Sequence, residues 1–390
     1  MMYKIFNHTI LNDLAKTHET PCYIYDSQLL NDSLNAAKYY SIKYFGDNVQ
    51  LHYALKANDN TQLLGLIQHA GLGIDCVSGG EIEHALHNHF TANHIVFAGV
   101  GKQDWEINLA LIANIYAFNC ESIQEVGVIN ALAYSMGKIA KIMLRVNPDI
   151  NAQTHKHIST GMYENKFGIT FADVLTLLPN LKELKNIQLI GLHYHIGSQI
   201  NNLEIFRNLG LAASQHYQHL STCGYHLTDI NLGGGLGIDY IHPEQNPIAQ
   251  FDEYFAILHK NLCVPSPLKI HFELGRSLVA QCGGLLSKVL FTKITAGTNF
   301  AIIDAGMNDL MRPMLYEAVH KILPLTARSD TIMKYHIVGP VCESTDIFVK
   351  NLELPTLERG DALIIFSCGA YGRVLANQYN KRSLIKEFVI

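Results

Sequence analysis

An apolar, strand-like run, Val49-Gln-Leu-His-Tyr-Ala-Leu-Lys56-Ala-Asn58, carries a lysine at its end. It opens a region in which short β-type runs alternate with amphipathic, helix-like stretches, the pattern of repeated βα units. Eight parallel strands with helical crossovers close most naturally into a barrel, so the pattern predicts an α/β protein with a (β/α)8 TIM barrel over residues 27–278. The predicted strands are Gln50–Leu55, Gly73–Val77, Ile95–Ala98, Ile115–Asn119, Lys141–Val146, Gln188–His195, Asp229–Gly233 and Lys269–Glu273.

The pattern changes after Arg276, where strand-like segments continue but long helical patterns do not. This change predicts a C-terminal all-β domain over residues 279–390, which residues 1–26 would join. The short run Pro21–Tyr25 could instead precede the barrel. The predicted strands of this domain include Leu285–Phe291, Phe300–Asp304, Tyr335–Val338 and Ala362–Phe366.

Length and composition favour a soluble protein that acts on small molecules. The chain has 390 residues, 48% of them hydrophobic, which is enough for two cores. Its formal charge is −5 without a run of like charges, so neither nucleic acid nor a membrane is an expected partner. No stretch has the features of a signal peptide or a membrane span. The eight cysteines occur singly, which favours free thiols and a cytoplasmic location.

Several predicted strands end in polar or glycine residues instead of aliphatic ones. In a β/α barrel the carboxyl ends of all strands meet at one rim, and the chemistry gathers there. We therefore expect the residues at these ends to share one site. They are Lys56, Asp75, Asn147, His195–Ser198, Gly233–Gly237 and Glu273–Arg276.

Lys56 is the candidate for a Schiff-base lysine. A lysine attacks a carbonyl only as the neutral amine, so burial or a neighbouring cation has to lower its pKa. The apolar neighbours Tyr53, Leu55 and Ala57 provide such a setting. The alternative is a lysine that extends from the strand end into solvent.

The glycine-rich segment Gly233–Gly237 and Arg276 predict a phosphate site. Glycines leave backbone N–H groups accessible, and barrels often bind phosphate with the loops after the seventh and eighth strands. Glu273 lies on the eighth run. It could keep a pyridine nitrogen protonated, or it could form a salt bridge with an arginine at the rim.

His193 and His195 lie on one face of a predicted strand, because side chains alternate with a period of two. Two such imidazoles also occur in metal-dependent barrel hydrolases. The other strand ends do not supply an evident set of metal ligands. We therefore expect one histidine to stack on a planar cofactor and the other to be a hydrogen-bonded core residue.

The β domain contributes a second group of unusual turn residues, namely Arg312, Tyr316, Cys342, Glu343 and Tyr371. A turn whose only task is connection rarely needs such side chains. Together they predict a site that this domain completes, and a dimer interface could bring some of them to it.

These residues stand in ordered motifs over nearly the whole chain, and together they resemble the diaminopimelate decarboxylase family, pyridoxal phosphate enzymes with an alanine racemase-like fold. The segment Arg312–Tyr316 and the Cys342–Glu343 motif resemble this branch in particular. The motifs are Tyr53-Ala-Leu-Lys56-Ala-Asn58, Asp75-Cys-Val-Ser-Gly-Gly-Glu81, His195-Ile-Gly-Ser198, Gly233-Gly-Gly235, Glu273-Leu-Gly-Arg276, Asp304-Ala-Gly-Met-Asn-Asp309, Arg312-Pro-Met-Leu-Tyr316, Cys342-Glu343-Ser344 and Gly369-Ala-Tyr371-Gly372.

The resemblance implies roles for the cofactor-binding residues. Lys56 would hold the aldehyde of pyridoxal 5'-phosphate, His195 would stack on its ring, and Glu273 would pair with the pyridine nitrogen. The further cofactor-binding residues would be Asp75, Ser198, Gly234, Gly235, Gly275, Arg276 and Tyr371.

The resemblance also implies a reaction, the decarboxylation of meso-2,6-diaminopimelate to L-lysine and carbon dioxide, which is the last step of lysine biosynthesis. Cys342 would be the proton donor and Glu343 would lie near the distal amine of the substrate. Both are expected to come from the neighbouring subunit, which makes a homodimer the smallest active unit. The residues expected to bind the substrate are Arg276, Arg312, Tyr316, Glu343 and Tyr371.

Two alternatives remain at this stage. One is a decarboxylase of the same fold that acts on ornithine, lysine or arginine, and the other is a metal-dependent hydrolase that uses His193 and His195. Two positions depart from the family pattern: Leu274 replaces the usual proline, and Arg373 adds a cation near the mouth of the site that could alter substrate preference. The segment Gly161–Gly168 could cover the site or be a plain surface loop.

Overall fold

The computed structural model describes residues 5–17, 19–150 and 166–390. The chain begins with helix α1 (His8–Thr17), strand β1 (Cys22–Tyr25) and helix α2 (Ser27–Phe45). Helix α2 begins where it does because the Asp26 side chain accepts a hydrogen bond from the backbone N–H of Leu29 at 2.9 Å, which caps the first turn. Its buried face then packs against the barrel that follows.

Eight parallel strands form a closed barrel, as the sequence predicts. Each strand pairs with its neighbour, and the pairing of β5 (Ala117–Cys120) with β6 (Ala140–Asn147) closes the barrel. A two-residue strand, β7 (Ile169–Thr170), pairs with the end of β6. The barrel strands are β2 (Val49–Ala54), β3 (Gly73–Cys76), β4 (Ile95–Phe97), β5 (Ala117–Cys120), β6 (Ala140–Asn147), β8 (Ile187–His193), β9 (Asp229–Asn231) and β10 (Lys269–Leu274).

Helices connect the barrel strands. Several begin at a side chain that satisfies a free backbone N–H, as Asn60 does for α3 and Ser78 for α4. Within the described residues, no helix combines the length and the apolar character needed to span a membrane. The helices are α3 (Thr61–His69), α4 (Gly79–His87), α5 (Asp104–Ala113), α6 (Ile123–Ser135), α7 (Phe171–Leu181), α8 (Glu204–Thr222), α9 (Phe251–Asn261) and α10 (Arg276–Val279).

A separate eight-stranded β-sheet follows the barrel, in agreement with the predicted all-β character of this part. Strand β1 belongs to this sheet, because it pairs antiparallel with β11 (Gly283–Thr295) and parallel with β17 (Lys386–Val389). The alternative in which this run precedes the barrel is therefore wrong. The C-terminal elements are β11 (Gly283–Thr295), β12 (Thr298–Ile303), α11 (Arg312–Tyr316), β13 (Ile322–Pro324), β14 (Ile332–Val338), β15 (Ile347–Pro355), β16 (Ala362–Ile365) and β17 (Lys386–Val389).

The barrel interior carries polar side chains at depths where aliphatic residues usually pack. On β10, His271 and Glu273 are two residues apart and therefore point to the same side of the strand. The His271 ring bonds to His52 at 3.0 Å and to Asp229 at 2.7 Å, so this level is a continuous hydrogen-bonded layer. The next level, around Glu273, lies at the carboxyl ends of the strands.

Two hydrogen bonds attach the β domain to the rim of the barrel beside Lys56. The backbone N–H of Tyr371 donates to the Ala57 carbonyl at 2.8 Å, and the Asn58 side chain donates to the Gly369 carbonyl at 2.8 Å. Tyr371 has a φ of +56°, a left-handed conformation that is uncommon for a residue with a side chain. This attachment places the Tyr371 ring at the same rim as Lys56.

Candidate active site

A cavity of about 600 Å³ opens at the carboxyl ends of the barrel strands. It continues into a narrow recess, defined by Ser198, Gly235, Gly275 and Arg276. The cavity brings together eight of the residues that the sequence predicts for the site, from both the barrel and the β domain. They are Lys56, His195, Ser198, Glu273, Arg276, Arg312, Tyr316 and Tyr371.

Lys56 follows β2 in a single turn of 3-10 helix and points into this cavity. Its Nζ donates to Oδ2 of Asp75 at 2.9 Å, and Asp75 is fully buried on β3. The alternative of a lysine that simply extends into solvent is therefore wrong, because the amine is bound to a buried carboxylate.

The predicted direction of the Lys56 pKa is also wrong. Burial works against the charged amine, but the Asp75 carboxylate outweighs it and raises the pKa of Lys56 above its ordinary value. Burial and the nearby Glu273 raise the pKa of Asp75 to about 6. The local sequence around Lys56 could not reveal this, since Asp75 comes from the next strand.

Glu273 is held by three side chains at the end of β10. Its Oε1 accepts hydrogen bonds from Asn119 at 2.9 Å and from Asn231 at 2.7 Å. Its Oε2 lies 3.0 Å from Nε2 of His193. Burial by itself would raise the pKa of Glu273, but His193 holds it well below the ordinary value. The alternative of a salt bridge between Glu273 and an arginine is wrong, since its partners are two amides and a histidine.

The two predicted histidines have different surroundings. His193 ends β8 and is the buried partner of Glu273, as expected for a core histidine. His195 lies beyond the strand, at the cavity, and its Nδ1 accepts from the backbone N–H of Gly234 at 3.4 Å. Burial, together with the cations Arg145 and Lys56, lowers the pKa of His195 well below its ordinary value. The imidazole is therefore neutral and borders the cavity.

No group of three or more His, Cys, Asp or Glu side chains with a metal-binding arrangement occurs in the described part of the chain.

The glycine-rich segment is required by close packing around the recess. A Cβ on Gly234 would lie 1.9 Å from the Glu273 carbonyl oxygen, and one on Gly235 would lie 2.7 Å from that of Gly197. Gly235 also has a φ of +104°, which side chains disfavour. The glycines therefore allow the loops after β8, β9 and β10 to converge on one small space, beside the Ser198 hydroxyl.

Two buried arginines line the cavity, and one of them, Arg276, also borders the recess. Arg276 is 6% exposed and Arg312 is 4% exposed. Arg276 donates to Ser198 Oγ at 3.0 Å and to the Tyr240 hydroxyl at 2.6 Å, while Arg312 donates to Nε2 of His320 at 3.0 Å. Among the described residues, neither guanidinium has a carboxylate within salt-bridge distance. Such a pair is suited to an anionic ligand.

Cys342 and Glu343 are not brought to the cavity of their own chain. Both are exposed, and neither belongs to the cavity lining. Their loop is well anchored: Asp346 is buried and accepts from the backbone N–H groups of Met307 and Val341, each at 2.8 Å. The expectation that a neighbouring subunit supplies these two residues stays a prediction.

The two departures from the family pattern lie away from the cavity. Leu274 is 1% exposed and packs in the core of the barrel. Arg373 lies 3.4 Å from Glu387 of β17 and is absent from the cavity lining. Arg373 therefore neutralises a carboxylate of the β domain.

Several site residues were missed by the sequence reasoning. Arg145 lines the cavity, forms a 2.6 Å ion pair with Glu121 and lies over the Phe167 ring. A charge within the apolar run Lys141–Val146 was the available signal. Tyr240 and His320, which hold the arginines, carried no local signal. Of the predicted lid segment Gly161–Gly168, residues 161–165 lie outside the described residues, while Phe167 lines the cavity.

Comparison with known proteins first defines the class. Residues 32–280 match the family model described as the pyridoxal binding domain of pyridoxal-dependent decarboxylases. This match includes the whole barrel and the lysine at its rim. The cavity and this match together place the chain among the pyridoxal-dependent decarboxylases.

Full-length relatives define the branch. The diaminopimelate decarboxylase of Bacteroides thetaiotaomicron is 46% identical over 376 residues, which cover 96% of this chain and 97% of that protein. That of Helicobacter pylori is 40% identical over 388 residues, covering 99% of this chain and 93% of its own. The crystal structure of the Helicobacter pylori enzyme complexed with L-lysine has a TM-score of 0.90 at 39% identity, covering 97% of this chain and 93% of that one. The chain belongs to the diaminopimelate decarboxylase family.

Proposed function

We propose that this protein decarboxylates meso-2,6-diaminopimelate to L-lysine and carbon dioxide with pyridoxal 5'-phosphate as cofactor, the last step of lysine biosynthesis. The observation that carries the proposal is the pair of buried guanidiniums of Arg276 and Arg312, which face the same cavity as Lys56. Diaminopimelate has a second amino-acid head group, and its carboxylate supplies the anion that these arginines lack. Ornithine and lysine, bound with their α-carboxylate at the reacting end, offer no such group.

The residues of the recess fit the proposed cofactor. Gly235, Gly275 and Ser198 line the recess, and a Cβ on either glycine would lie within 3.1 Å of a neighbouring protein atom. Glycine backbone beside a hydroxyl suits a phosphate group. Asp75, Gly234, Arg276 and Tyr371 complete the proposed set. When bound, pyridoxal phosphate supplies an aldehyde for a lysine amine and an electron-accepting ring for the electrons that carbon dioxide leaves behind.

Lys56 is proposed to hold the cofactor through its Nζ. The amine must lose a proton before it reacts, and the adjacent acceptor is Oδ2 of Asp75, 2.9 Å away. Asp75 thus orients the amine, and its charge keeps the amine protonated in the cofactor-free protein.

Glu273 is proposed to face the pyridine nitrogen and to keep it protonated. Its lowered pKa maintains a carboxylate there, and Asn119, Asn231 and His193 fix its orientation. His195 would lie against the ring, since it is neutral and lines the cavity. The chain thereby provides one anion and one neutral face for the cofactor.

The distal amino-acid group of the substrate is proposed to bind between Arg276, Arg312, Tyr316 and Tyr371. Binding the distal carboxylate there fixes which of the two amino-acid centres reaches Lys56. Cys342 of a second subunit would return the proton to the substrate carbon, and Glu343 of that subunit would bind the distal amine. We therefore propose a cytoplasmic homodimer, with a cofactor-binding barrel over residues 27–278 and a β-rich domain over residues 1–26 and 279–390.

A substrate panel tests the proposal. The purified protein is supplied with pyridoxal phosphate, and carbon dioxide release is measured with meso-diaminopimelate, L-lysine, L-ornithine and L-arginine. We expect turnover of diaminopimelate with stoichiometric L-lysine. Preference for one of the other three amino acids would instead support the alternative decarboxylase.

Mixing two inactive variants tests the shared site. Cys342→Ala and Lys56→Ala are each expected to lack turnover, but a dimer that contains one chain of each has one intact site. After subunit exchange, activity should recover to about a quarter of the wild-type value, the statistical limit for a two-fold dimer. A mixture that stays inactive despite demonstrated exchange would show that each chain builds its own site.

A further inference from the structure

The guanidiniums of Arg276 and Arg312, which line the cavity, are held in place by neutral groups. Arg276 and Arg312 are buried, and within the described residues no carboxylate lies close enough to fix either one. A flexible cation without such a partner needs other contacts to keep one orientation. Ser198 and Tyr371, which line the cavity, contact Arg276, and two further residues that do not line the cavity contact the arginines from behind.

Tyr240 touches both arginines. Its hydroxyl accepts from Nη1 of Arg276 at 2.6 Å, and its ring lies 4.8 Å from the guanidinium carbon of Arg312. The hydrogen bond fixes the direction of one N–H group of Arg276. The ring contact with Arg312 is a cation–π interaction. Tyr240 therefore sets the position of one guanidinium relative to the other.

His320 fixes Arg312 from the opposite side. Its Nδ1 lies 2.8 Å from the Phe366 carbonyl oxygen, which can only accept, so this nitrogen carries the proton. Nε2 is then free to accept from Nη1 of Arg312 at 3.0 Å. Burial, together with the charge of Arg312, lowers the pKa of His320 to about 3, so the ring keeps its acceptor at every working pH. The ring also packs edge-on against Tyr240, with centroids 5.1 Å apart.

We propose that Tyr240 and His320 are positioning residues that hold Arg276 and Arg312 as one carboxylate-binding pair and thereby determine selectivity for ligands with a distal carboxylate. This inference rests on the proposed function. Both residues act through the arginines, because neither reaches the ligand. Their loss should weaken the carboxylate contact, to which both arginines contribute, more than cofactor binding, to which only Arg276 contributes.

A comparison of two ligands measures the contact between the arginine pair and the carboxylate. L-lysine and 1,5-diaminopentane have the same five-carbon diamine chain, and they differ only in the carboxylate that remains on lysine after diaminopimelate loses the other. Their dissociation constants for the cofactor-loaded enzyme are measured from the change in cofactor absorbance. In the unaltered enzyme we expect lysine to bind more tightly, and the ratio of the two constants measures the arginine pair.

His320→Leu should reduce this ratio roughly tenfold to a hundredfold, the loss expected for a hydrogen bond to a charged group. Tyr240→Phe should reduce the ratio less, because it removes the hydroxyl that binds Arg276 but keeps the aromatic ring that contacts Arg312. The matched controls are His336→Leu, on β14 of the β domain, and Tyr254→Phe, whose hydroxyl has no hydrogen-bond partner among the described residues. Both controls should leave the ratio unchanged.

A double-mutant cycle shows whether His320 acts through Arg312. In an Arg312→Met background, His320→Leu should cause no further change in the ratio. The inference is overturned if lysine and 1,5-diaminopentane bind more weakly by the same factor in His320→Leu and in Tyr240→Phe. It is also overturned if the effects of His320→Leu and Arg312→Met on the ratio simply add. Neither result would affect the proposed function, provided that the unaltered enzyme turns over diaminopimelate. Absence of that turnover would instead overturn the proposed function, and this inference with it.

Discussion

Two charged clusters face the same cavity and differ in how the protein satisfies them. Around Lys56 and Glu273, every charge has a protein partner, namely Asp75 for the lysine and His193 with two asparagines for the glutamate. Around Arg276 and Arg312, the described partners are a serine, a tyrosine and a histidine, none of them anionic. The first cluster is assembled by the fold alone, whereas the second lacks the anion that a ligand would bring.

The largest expected effect comes from removing the amine of the first cluster. Lys56→Ala should lower turnover by about a thousandfold or more, since the attachment point of the cofactor is lost. Borohydride reduction, digestion and mass spectrometry should find a pyridoxyl group on Lys56 in the wild type and none in the variant. A label on another lysine would refute the assignment. Lys43→Ala, at an exposed ion pair with Asp252, is the control.

A substitution in the second cluster is expected to weaken substrate binding while the cofactor stays bound. Arg312→Met should lower kcat/KM for diaminopimelate roughly a hundredfold, because a buried carboxylate contact disappears. The visible absorbance of the bound cofactor should not change. Arg328→Met, which removes an exposed ion pair with Asp361, should leave kcat/KM as it is. Equal loss of cofactor and of substrate binding would contradict the separation of the two clusters.

The buried carboxylate of the first cluster predicts a dependence of stability on pH. The folded protein lowers the pKa of Glu273, so its contribution to the free energy of unfolding is complete above the ordinary carboxyl pKa and is lost as the pH falls from there through the lowered value. Glu273→Gln should therefore be less stable than wild type at pH 7, on the order of 1 kcal/mol or more, with a smaller gap at pH 4. Urea unfolding at both pH values measures this. A gap of the same size at both would argue against a charged Glu273.

The smallest effect is expected at the additional cation of the family pattern. Arg373→Met should leave the substrate preference within about twofold, because Arg373 is paired with Glu387 outside the cavity and such pairs contribute little. The panel of four amino acids used for the wild type is the measurement. A gain of ornithine or lysine turnover in the variant would bring Arg373 back into the determination of specificity.

The barrel and its rim could be predicted from sequence because both depend on local patterns. Short apolar runs that end in polar or glycine residues predict parallel strands and the edge at which they finish, and Lys56 lies at such an end. The exact residues at which the strands end were predicted less accurately. Strand β8 ends at His193, two residues before the predicted end, so that His195 lies beyond the strand, at the rim where it was expected.

The partners of the site residues could not be predicted, because they are distant in the sequence. Glu273 and His193 are 80 residues apart, and Tyr240 meets Arg276 across 36 residues. The apolar neighbours of Lys56 predicted a lowered pKa, while the carboxylate that decides the direction belongs to another strand. Long-range contacts of this kind are set by barrel closure and by the docking of the β domain.

The anchored loop that carries Cys342 and Glu343 has a consequence for assembly. Asp346 binds two backbone N–H groups beneath it, and a Cβ on Gly339 would lie 2.3 Å from this carboxylate, so little room for rearrangement exists there. A segment that already has its final shape loses little conformational entropy when it meets another surface. Pairing of two chains through this loop would therefore proceed as rigid-body association, with a rate set by diffusion and orientation and not by a slow ordering step.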